Sequence, residues 1–183
     1  MIEACELPSE ALLRKYHDTG AYTDCYAIEL ARPVTQAEYI EAFYTTRVFK
    51  LERLLLAWFV SKPSTDRQAK ALAAGESDAF AAWTVEGRTA GQLLMCDFQQ
   101  RTRSWLMSVA VPDNAAASTR LYFGSAVVPV RDPRSGRKTM GWVFRALLGF
   151  HMIYSRVLLR AAVARLLRVR AAGAQAGEQG DRK

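Results

Sequence analysis

The side chains suited to catalysis are few and widely spaced in this chain of 183 residues. Its two histidines are His17 and His151, and its three cysteines show no CxxC spacing, so neither set matches a zinc site. Ser125 in FGSAV lacks the glycine frame of a nucleophile elbow. In SGRKT the first glycine of a phosphate loop is missing, and the lysine does not directly follow Gly136. We therefore predict no catalytic residues, no metal and no cofactor.

A charged stretch, DFQQRTRSW, lies between LLMC and LMSVAV, two apolar runs typical of buried strands. Strand alternation places Arg103 and Trp105 on the bulkier face, which we interpret as facing inward, so that Arg103 would hold a carboxylate or phosphate at the mouth of the core. Alternatively, QQR is a hairpin turn, and Asp97 forms an exposed ion pair with Arg101 or Arg103. We favour the hairpin, and the sequence leaves both interpretations open.

Elements that would position these residues begin with YTDCYAIEL, which predicts a first strand ending before Pro33. Thr35 and Glu38 form a capping-box pattern that opens a helix, and RVFKLERLLLAWFV predicts a second. STDRQAKALAAGE predicts a third, which stops at Gly75. From Asp78 onward, apolar runs separated by turn-like segments predict an antiparallel meander, which brings the clear strands to five.

A long final helix is predicted from about Gly141 to Arg170, with Thr139 as its cap. Its arginines at positions 145, 156 and 160 fall in one narrow stripe, and the rest of the circumference is mostly apolar, so the helix should be nearly surrounded as far as Ala164. Three polar residues interrupt the apolar arc: His151, Tyr154 and Ser155. Either they bond to strand backbone or buried water, which is the commoner arrangement, or they line a cavity.

The order strand, helix pair, antiparallel meander and long C-terminal helix resembles the helix-grip fold of the START and birch-pollen-allergen superfamily (SRPBCC), over roughly residues 22–164. The ending FRALLGFHMIYSRVLLRAA is similar to an uncharacterised bacterial family within it. The resemblance implies an α+β fold, in which a curved antiparallel β-sheet wraps around a long C-terminal α-helix and leaves a cavity for an apolar ligand. It brings no catalytic residues, because members of the superfamily share no single catalytic set.

Together these patterns predict a carrier of a small hydrophobic ligand whose acidic end lies near Arg103. The predicted ligand-binding residues are Trp83, Arg103, Trp105, Tyr122, His151, Tyr154 and Ser155. One alternative is a polyketide-cyclase-type enzyme in which His151 or Tyr154 moves protons on the bound ligand. Another is a peripheral membrane protein that binds anionic lipid through the basic loop at 131–138 and the arginines of the last helix.

Composition and charge bear on the domain organisation, the partners and the cellular location of the protein. Half of the residues are hydrophobic, which predicts one domain over residues 1–170, followed by a disordered, low-complexity tail at 171–183. The net charge of +7 favours anionic partners, but no nucleic-acid-binding module is present, so we predict no nucleic acid. MIEACELPSE does not match a secretory signal, and the odd number of cysteines favours a reducing compartment, which together predict the cytoplasm. Nothing in the sequence indicates the oligomeric state.

Overall fold

A computed structural model of the chain describes residues 1–50, 64–112, 117–131, 138–139 and 152–168, with the side chains of residues 130, 131, 138 and 139 excepted. The strands are β1 (Glu3–Ala4), β2 (Tyr22–Leu30), β3 (Ala79–Phe80), β4 (Trp83–Thr89), β5 (Gln92–Asp97), β6 (Thr102–Val111), β7 (Ser118–Val127), β8 (Val130–Arg131) and β9 (Lys138–Thr139). The first seven form one antiparallel sheet in the order β1-β2-β7-β6-β5-β4-β3, and β8 pairs with β9. The meander β4 to β7 therefore returns the chain to the edge of β2.

The described residues include the helices α1 (Arg14–Asp18), α2 (Gln36–Tyr44), α3 (Asp66–Ala74) and α4 (residues 152–168), and residues 47–50 are also helical. The predicted capping box of α2 is confirmed, since the Thr35 hydroxyl accepts the N–H of Glu38 at 3.1 Å and the Glu38 carboxylate accepts the N–H of Thr35 at 2.8 Å. Thr65 begins α3 in the same way. Gly75 ends α3 in the left-handed conformation, at φ 79°, where glycine avoids the clash of a Cβ.

Both faces of the sheet are covered, but by different parts of the chain. On one face, which we call the helix face, Tyr26, Leu106 and Phe123 pack in the main core with residues of α2, α3 and α4. The opposite face, which we call the outer face, carries Trp105 and Cys25 in a smaller core under the N-terminal residues 5–16. Because both faces of β5 are covered, side chains on either side of this strand are buried, and Leu93 to Cys96 are buried without interruption.

This arrangement is a helix-grip α+β fold, with a curved seven-stranded sheet, a long C-terminal helix and the predicted helix pair α2 and α3 between β2 and the meander. The predicted fold class is therefore confirmed. The prediction of five strands missed β1, β3, β8 and β9, which are two residues each and too short to show alternation. Within the described residues, no helix combines the length and the apolar character needed to cross a bilayer.

Several details differ from the prediction. The face of β6 that carries Arg103 and Trp105 is buried, but it is the outer face, whereas Leu106 lies on the helix face. Thr139, the predicted cap of the final helix, lies in β9. Burial on α4 continues to Leu166, slightly beyond the predicted limit. Residues 51–63 of the second predicted helix, residues 141–151 of the final one and the predicted tail at 171–183 lie outside the described residues.

Candidate functional site

A polar cluster lies on the helix face where β2, β7 and β6 run side by side. The strand register places Asp24 opposite Ser125, and Ser125 opposite Ser104. Asp24 Oδ1 accepts the hydroxyl of Ser125 at 2.6 Å and the N–H of the same residue at 3.0 Å. Asp24 Oδ2 accepts a hydrogen bond of 3.1 Å from the hydroxyl of Ser155, a residue of α4. The carboxylate thus joins the sheet to the helix through two serine hydroxyls.

A cavity of about 230 Å³ begins at these serines and extends between the sheet and the helices. Its described apolar lining comes from four aromatic rings and one leucine: Phe43, Phe49, Trp83, Phe123 and Leu158. Its described polar lining comes from Thr102, Arg103, Ser104, Ser125, Tyr154 and Ser155. The cavity is therefore apolar along most of its wall and polar at one end, the combination that small-molecule sites use to bury a ligand and orient it.

Two tyrosines lie on the same face of β2 as Asp24. Burial, together with the nearby negative charge of Asp24, raises the pKa of Tyr22 to about 12. Burial likewise raises the pKa of Tyr26, again with Asp24 contributing. The guanidinium carbon of Arg156 lies 5.1 Å from the centre of the Tyr26 ring, a cation–π contact from the exposed side of α4. Both phenols therefore stay neutral near pH 7, beside the carboxylate of Asp24.

Arg103 makes its polar contacts away from this cluster. Its Nε donates to Glu86 Oε2 at 2.5 Å and to the Tyr16 hydroxyl at 2.8 Å, and its guanidinium lies over the Tyr16 ring at 4.7 Å. Tyr16 in turn donates to Glu86 Oε1 at 2.5 Å, and Lys15 pairs with the same oxygen. Tyr16 belongs to the smaller core under the N-terminal segment, so the guanidinium is engaged on the outer face.

The groups of this outer-face network shift one another's pKa values. Burial alone would raise the pKa of Glu86, but hydrogen bonds from Lys15 and Tyr16 and the charge of Arg103 lower it below its usual value. Burial, followed by the hydrogen bond to Glu86, raises the pKa of Tyr16 to about 12. Burial opposes the charge on Arg103, yet its bond to Tyr16 and the Glu86 carboxylate raise the pKa of the guanidinium. Arg103 is thus a paired structural cation.

Six of the seven predicted ligand-binding residues lie in the described part of the chain, and they divide into three groups. Trp83, Tyr154 and Ser155 line the cavity. Arg103 contributes to the wall, while its guanidinium binds Glu86. Trp105 and Tyr122 belong to the smaller core of the outer face, where their ring centres are 6.2 Å apart.

His151 lies outside the described residues. A role in ligand binding stays a prediction for all seven residues.

The charges of DFQQRTRSW serve two purposes. Asp97 Oδ1 accepts the backbone N–H of Arg101 at 2.7 Å and that of Thr102 at 2.9 Å, which closes the turn between β5 and β6. Gln100 takes φ 57° in this turn. The stretch is therefore a hairpin tip, as the favoured interpretation predicts, but Asp97 stabilises it through backbone bonds. The partner of Arg103 is Glu86, which the predicted ion pair did not include.

Asp24 and Ser104 were not among the predicted site residues, and Ser125 was considered only as a nucleophile. The two serines line the polar end of the cavity, and Asp24 accepts the hydroxyl of Ser125 there. One signal was present, since Asp24 interrupts the alternation that Tyr22, Tyr26 and Leu30 establish on one face of the first strand. An acid on the buried face of a strand must find hydrogen-bond donors. The two serines carried no such signal, because they are recognised only once the register of β2, β7 and β6 is known.

Comparisons with known proteins add little to this geometry. No protein-family model matches the chain, and no curated protein matches it. Among solved structures, the chain is similar to CalU16 from Micromonospora echinospora, with 11% sequence identity, coverage of 93% of this chain and 94% of that chain, and a TM-score of 0.33. A likeness at this TM-score carries no argument about ligand or activity. In the described part of the chain, histidine, cysteine and acidic residues form no group of three or more that could hold a metal ion.

Proposed function

We propose that the protein binds a small hydrophobic ligand in the cavity between the helix face of the sheet and α4. The observation that carries this proposal is the cavity itself, about 230 Å³ in volume, whose wall combines Phe43, Trp83 and Phe123 with serine hydroxyls at one end. Aromatic side chains supply most of the contact area in such sites, and a few polar groups set the orientation of the ligand. Affinity comes from burial, at about 25 cal/mol per Å² of apolar surface.

The size of the cavity points to a ligand with one or two rings. A dry, apolar cavity of about 150 Å³ is large enough for benzene. With about 230 Å³, this cavity accommodates a substituted benzene or a compact bicyclic compound. Ligands of this size bind with dissociation constants of about 0.1 mM or tighter when most of their atoms are buried.

The polar end of the cavity favours a ligand that donates a hydrogen bond. The hydroxyl hydrogen of Ser155 is directed to Asp24, so toward a ligand its oxygen acts as an acceptor. The negative charge of Asp24 lies next to the polar end of the cavity and repels the carboxylate of an acidic ligand. Arg103, the residue expected to hold an acidic end, is neutralised by Glu86. We therefore propose a neutral alcohol or phenol in place of the acidic ligand that the sequence suggested.

Binding at the cavity is tested with 2-naphthol and two matched variants of β6. Ser104 and Ser108 share the helix face, but only Ser104 is among the lining residues. Ser104→Leu fills the cavity and is expected to weaken 2-naphthol binding at least about tenfold, whereas Ser108→Leu should leave it within about twofold. Isothermal titration calorimetry measures both. Equal affinity of the two variants, or no binding by the wild-type chain to any of a panel of one- and two-ring alcohols, would exclude this site.

The preference for a donor is tested separately with the pair 2-naphthol and 2-naphthoate. The wild-type protein should prefer the phenol by about tenfold or more, because Asp24 repels the acid. Asp24→Asn removes that charge and should reduce the preference to a few-fold, while binding in the cavity persists. A preference for 2-naphthoate in the wild-type protein would contradict the assigned role of Asp24 and restore the acidic ligand.

The enzymatic and membrane-binding alternatives stay predictions. The first depends on His151 or Tyr154 as a proton carrier, and the second on the basic loop at 131–138. His151 and residues 132–137 lie outside the described part of the chain. No observation on the described residues favours either alternative over ligand binding.

A further inference from the structure

Two of the three cysteines lie side by side on the outer face. The pairing of β1 with β2 brings Ala4 opposite Tyr26, and the chain continues so that the N–H of Cys5 donates to the carbonyl of Cys25 at 3.0 Å. The two sulfur atoms are 3.3 Å apart. Facing residues in antiparallel strands have Cα atoms about 4.5–5.5 Å apart, which lies within the range that a disulfide spans. A modest side-chain rotation is enough to join the two sulfurs.

The two thiols differ in reactivity. Cys5 is half-buried and Cys25 is buried. The hydrogen bond between the two thiols lowers the pKa of Cys5, against the effect of burial and with a further contribution from the charge of Arg120. The same hydrogen bond and burial raise the pKa of Cys25. Cys5 is therefore the thiol that ionises first, and Cys25 remains protonated beside it.

A surface groove is lined by both cysteines. It measures about 320 Å³, which is ample for a small oxidant. Its described lining is Cys5, Glu6, Leu7, Arg14, His17, Thr23, Asp24 and Cys25. The groove lies on the outer face, whereas the proposed ligand cavity lies on the helix face. Chemistry at the thiols does not require the ligand cavity, although Asp24 lines the groove and also bonds to Ser125 and Ser155 on the helix face.

We propose that Cys5 and Cys25 form a hydroperoxide-reactive thiol pair that closes to an intramolecular disulfide. The Cys5 thiolate attacks one oxygen of hydrogen peroxide, which breaks the O–O bond, forms the sulfenic acid of Cys5 and releases hydroxide. The thiol of Cys25 then attacks the Cys5 sulfur, the S–S bond forms, and water leaves with the proton of Cys25. In total, two thiol sulfurs are oxidised and one peroxide is reduced.

Closure would tie the N-terminal segment to the sheet. Leu7, Leu12 and Tyr16 of that segment cover the outer face, and the disulfide encloses them in the loop between residues 5 and 25. A crosslink over a loop of this length restricts the unfolded chain and is expected to raise the unfolding temperature by about 6–12 °C. Oxidation therefore stabilises this side of the fold.

Peptide mapping tests the pairing directly. The full chain is treated with hydrogen peroxide under native conditions, blocked with iodoacetamide and digested with trypsin. The expected product links the peptide of residues 1–14 to that of residues 16–47, with a mass two hydrogens below the sum of the reduced peptides. The peptide of residues 89–101, which contains Cys96, should be alkylated. Alkylation of all three cysteines, a bond between two chains, or overoxidation of Cys5 without linkage would each overturn the proposal.

Single Cys→Ser variants distinguish the roles of the two thiols, and a folding control accompanies each variant. Cys96 is buried, and burial raises its pKa, so Cys96→Ser should still form the link. Cys25→Ser should stop at the sulfenic acid of Cys5, which dimedone traps, and Cys5→Ser should give neither product. Circular dichroism confirms that each variant is folded. If Cys25→Ser gives no dimedone adduct while folded, the assignment of Cys5 as the attacking thiol is wrong.

Discussion

Arg103 and Glu86 form a largely buried ion pair on the outer face, with Arg103 Nε at 2.5 Å from Glu86 Oε2. Their side chains are 9% and 21% exposed, and Tyr16 bonds to both. The pair connects β6 to β4 and to the short helix α1, three elements that are distant in the sequence. It therefore holds the N-terminal segment against the sheet.

Removal of the guanidinium should destabilise the fold substantially. Arg103→Met leaves the Glu86 carboxylate without the more buried of its two cations, and we expect a loss of about 3 kcal/mol in the free energy of unfolding. Arg120→Met is the matched control, because the Arg120–Glu3 pair is 37% and 64% exposed and should cost at most about 1 kcal/mol. Urea unfolding measures both. Equal losses would show that burial of the Arg103 pair contributes nothing.

The same variant tests the predicted role of Arg103 in ligand binding. If the guanidinium serves only the outer-face network, 2-naphthol affinity of Arg103→Met stays within about twofold of the wild type. A loss of tenfold or more in the folded variant would restore Arg103 as a ligand contact.

Glu86 should make stability depend on pH in the acid range. Burial opposes ionisation, but Lys15, Tyr16 and Arg103 outweigh it and lower the pKa of Glu86 in the folded state. A lowered pKa means that the contribution of Glu86 is complete above its unfolded pKa of about 4.3 and is lost as the pH falls through the folded value. Glu86→Gln should therefore be less stable than the wild type at pH 7.

Unfolding experiments between pH 7 and pH 2.5 measure this difference, which should shrink below about pH 4. Glu76→Gln removes a carboxylate from an exposed position and controls for net charge. A Glu86→Gln difference that stays constant down to pH 2.5 would contradict the lowered pKa.

Gln92 should clamp the N-terminal segment to the outer face. Its Oε1 accepts the N–H of Leu12 and the indole N–H of Trp105, both at 2.9 Å, and its Nε2 donates to the carbonyl of Glu10 at 3.0 Å. Gln92→Ala leaves these groups without partners, so we expect a loss of about 2–3 kcal/mol and faster hydrogen exchange at Leu12. Gln99→Ala, at an exposed position of the hairpin tip, should change neither. Unchanged exchange at Leu12 in Gln92→Ala would exclude the clamp.

Gly124 should be intolerant of any side chain. An added Cβ would lie 2.9 Å from Leu13 Cδ2, 3.0 Å from the Asp24 carbonyl and 3.0 Å from Trp105 Cε3. Leu13 can move, but the backbone and the indole cannot, so Gly124→Ala should cost about 1–3 kcal/mol in unfolding free energy. At Gly87 the nearest atom is Leu12 Cδ1 at 3.4 Å, and Gly87→Ala should cost less than about 1 kcal/mol. Similar unfolding midpoints for the two variants would refute the close contact.

Local patterns in the sequence determined the longer elements and their order. The capping boxes at Thr35 and Thr65 and the stop at Gly75 depend on neighbours within a few residues, so they could be predicted without the fold. Alternation along β6 correctly separated Arg103 and Trp105 from Ser104 and their even-numbered neighbours. Together with the long C-terminal helix, this was sufficient for the fold class.

The tertiary structure decided which face of β6 meets the helices and which residues meet across the sheet. Both faces are buried, so hydrophobicity alone could not assign Arg103 to the outer face, and the reversed assignment moved Trp105 and Tyr122 out of the cavity. Glu86 pairs with Arg103, and Asp24 with Ser155, through sheet register and helix packing. Such pairs form between residues far apart in the chain, whose approach is set by the whole fold and leaves no local pattern in the sequence.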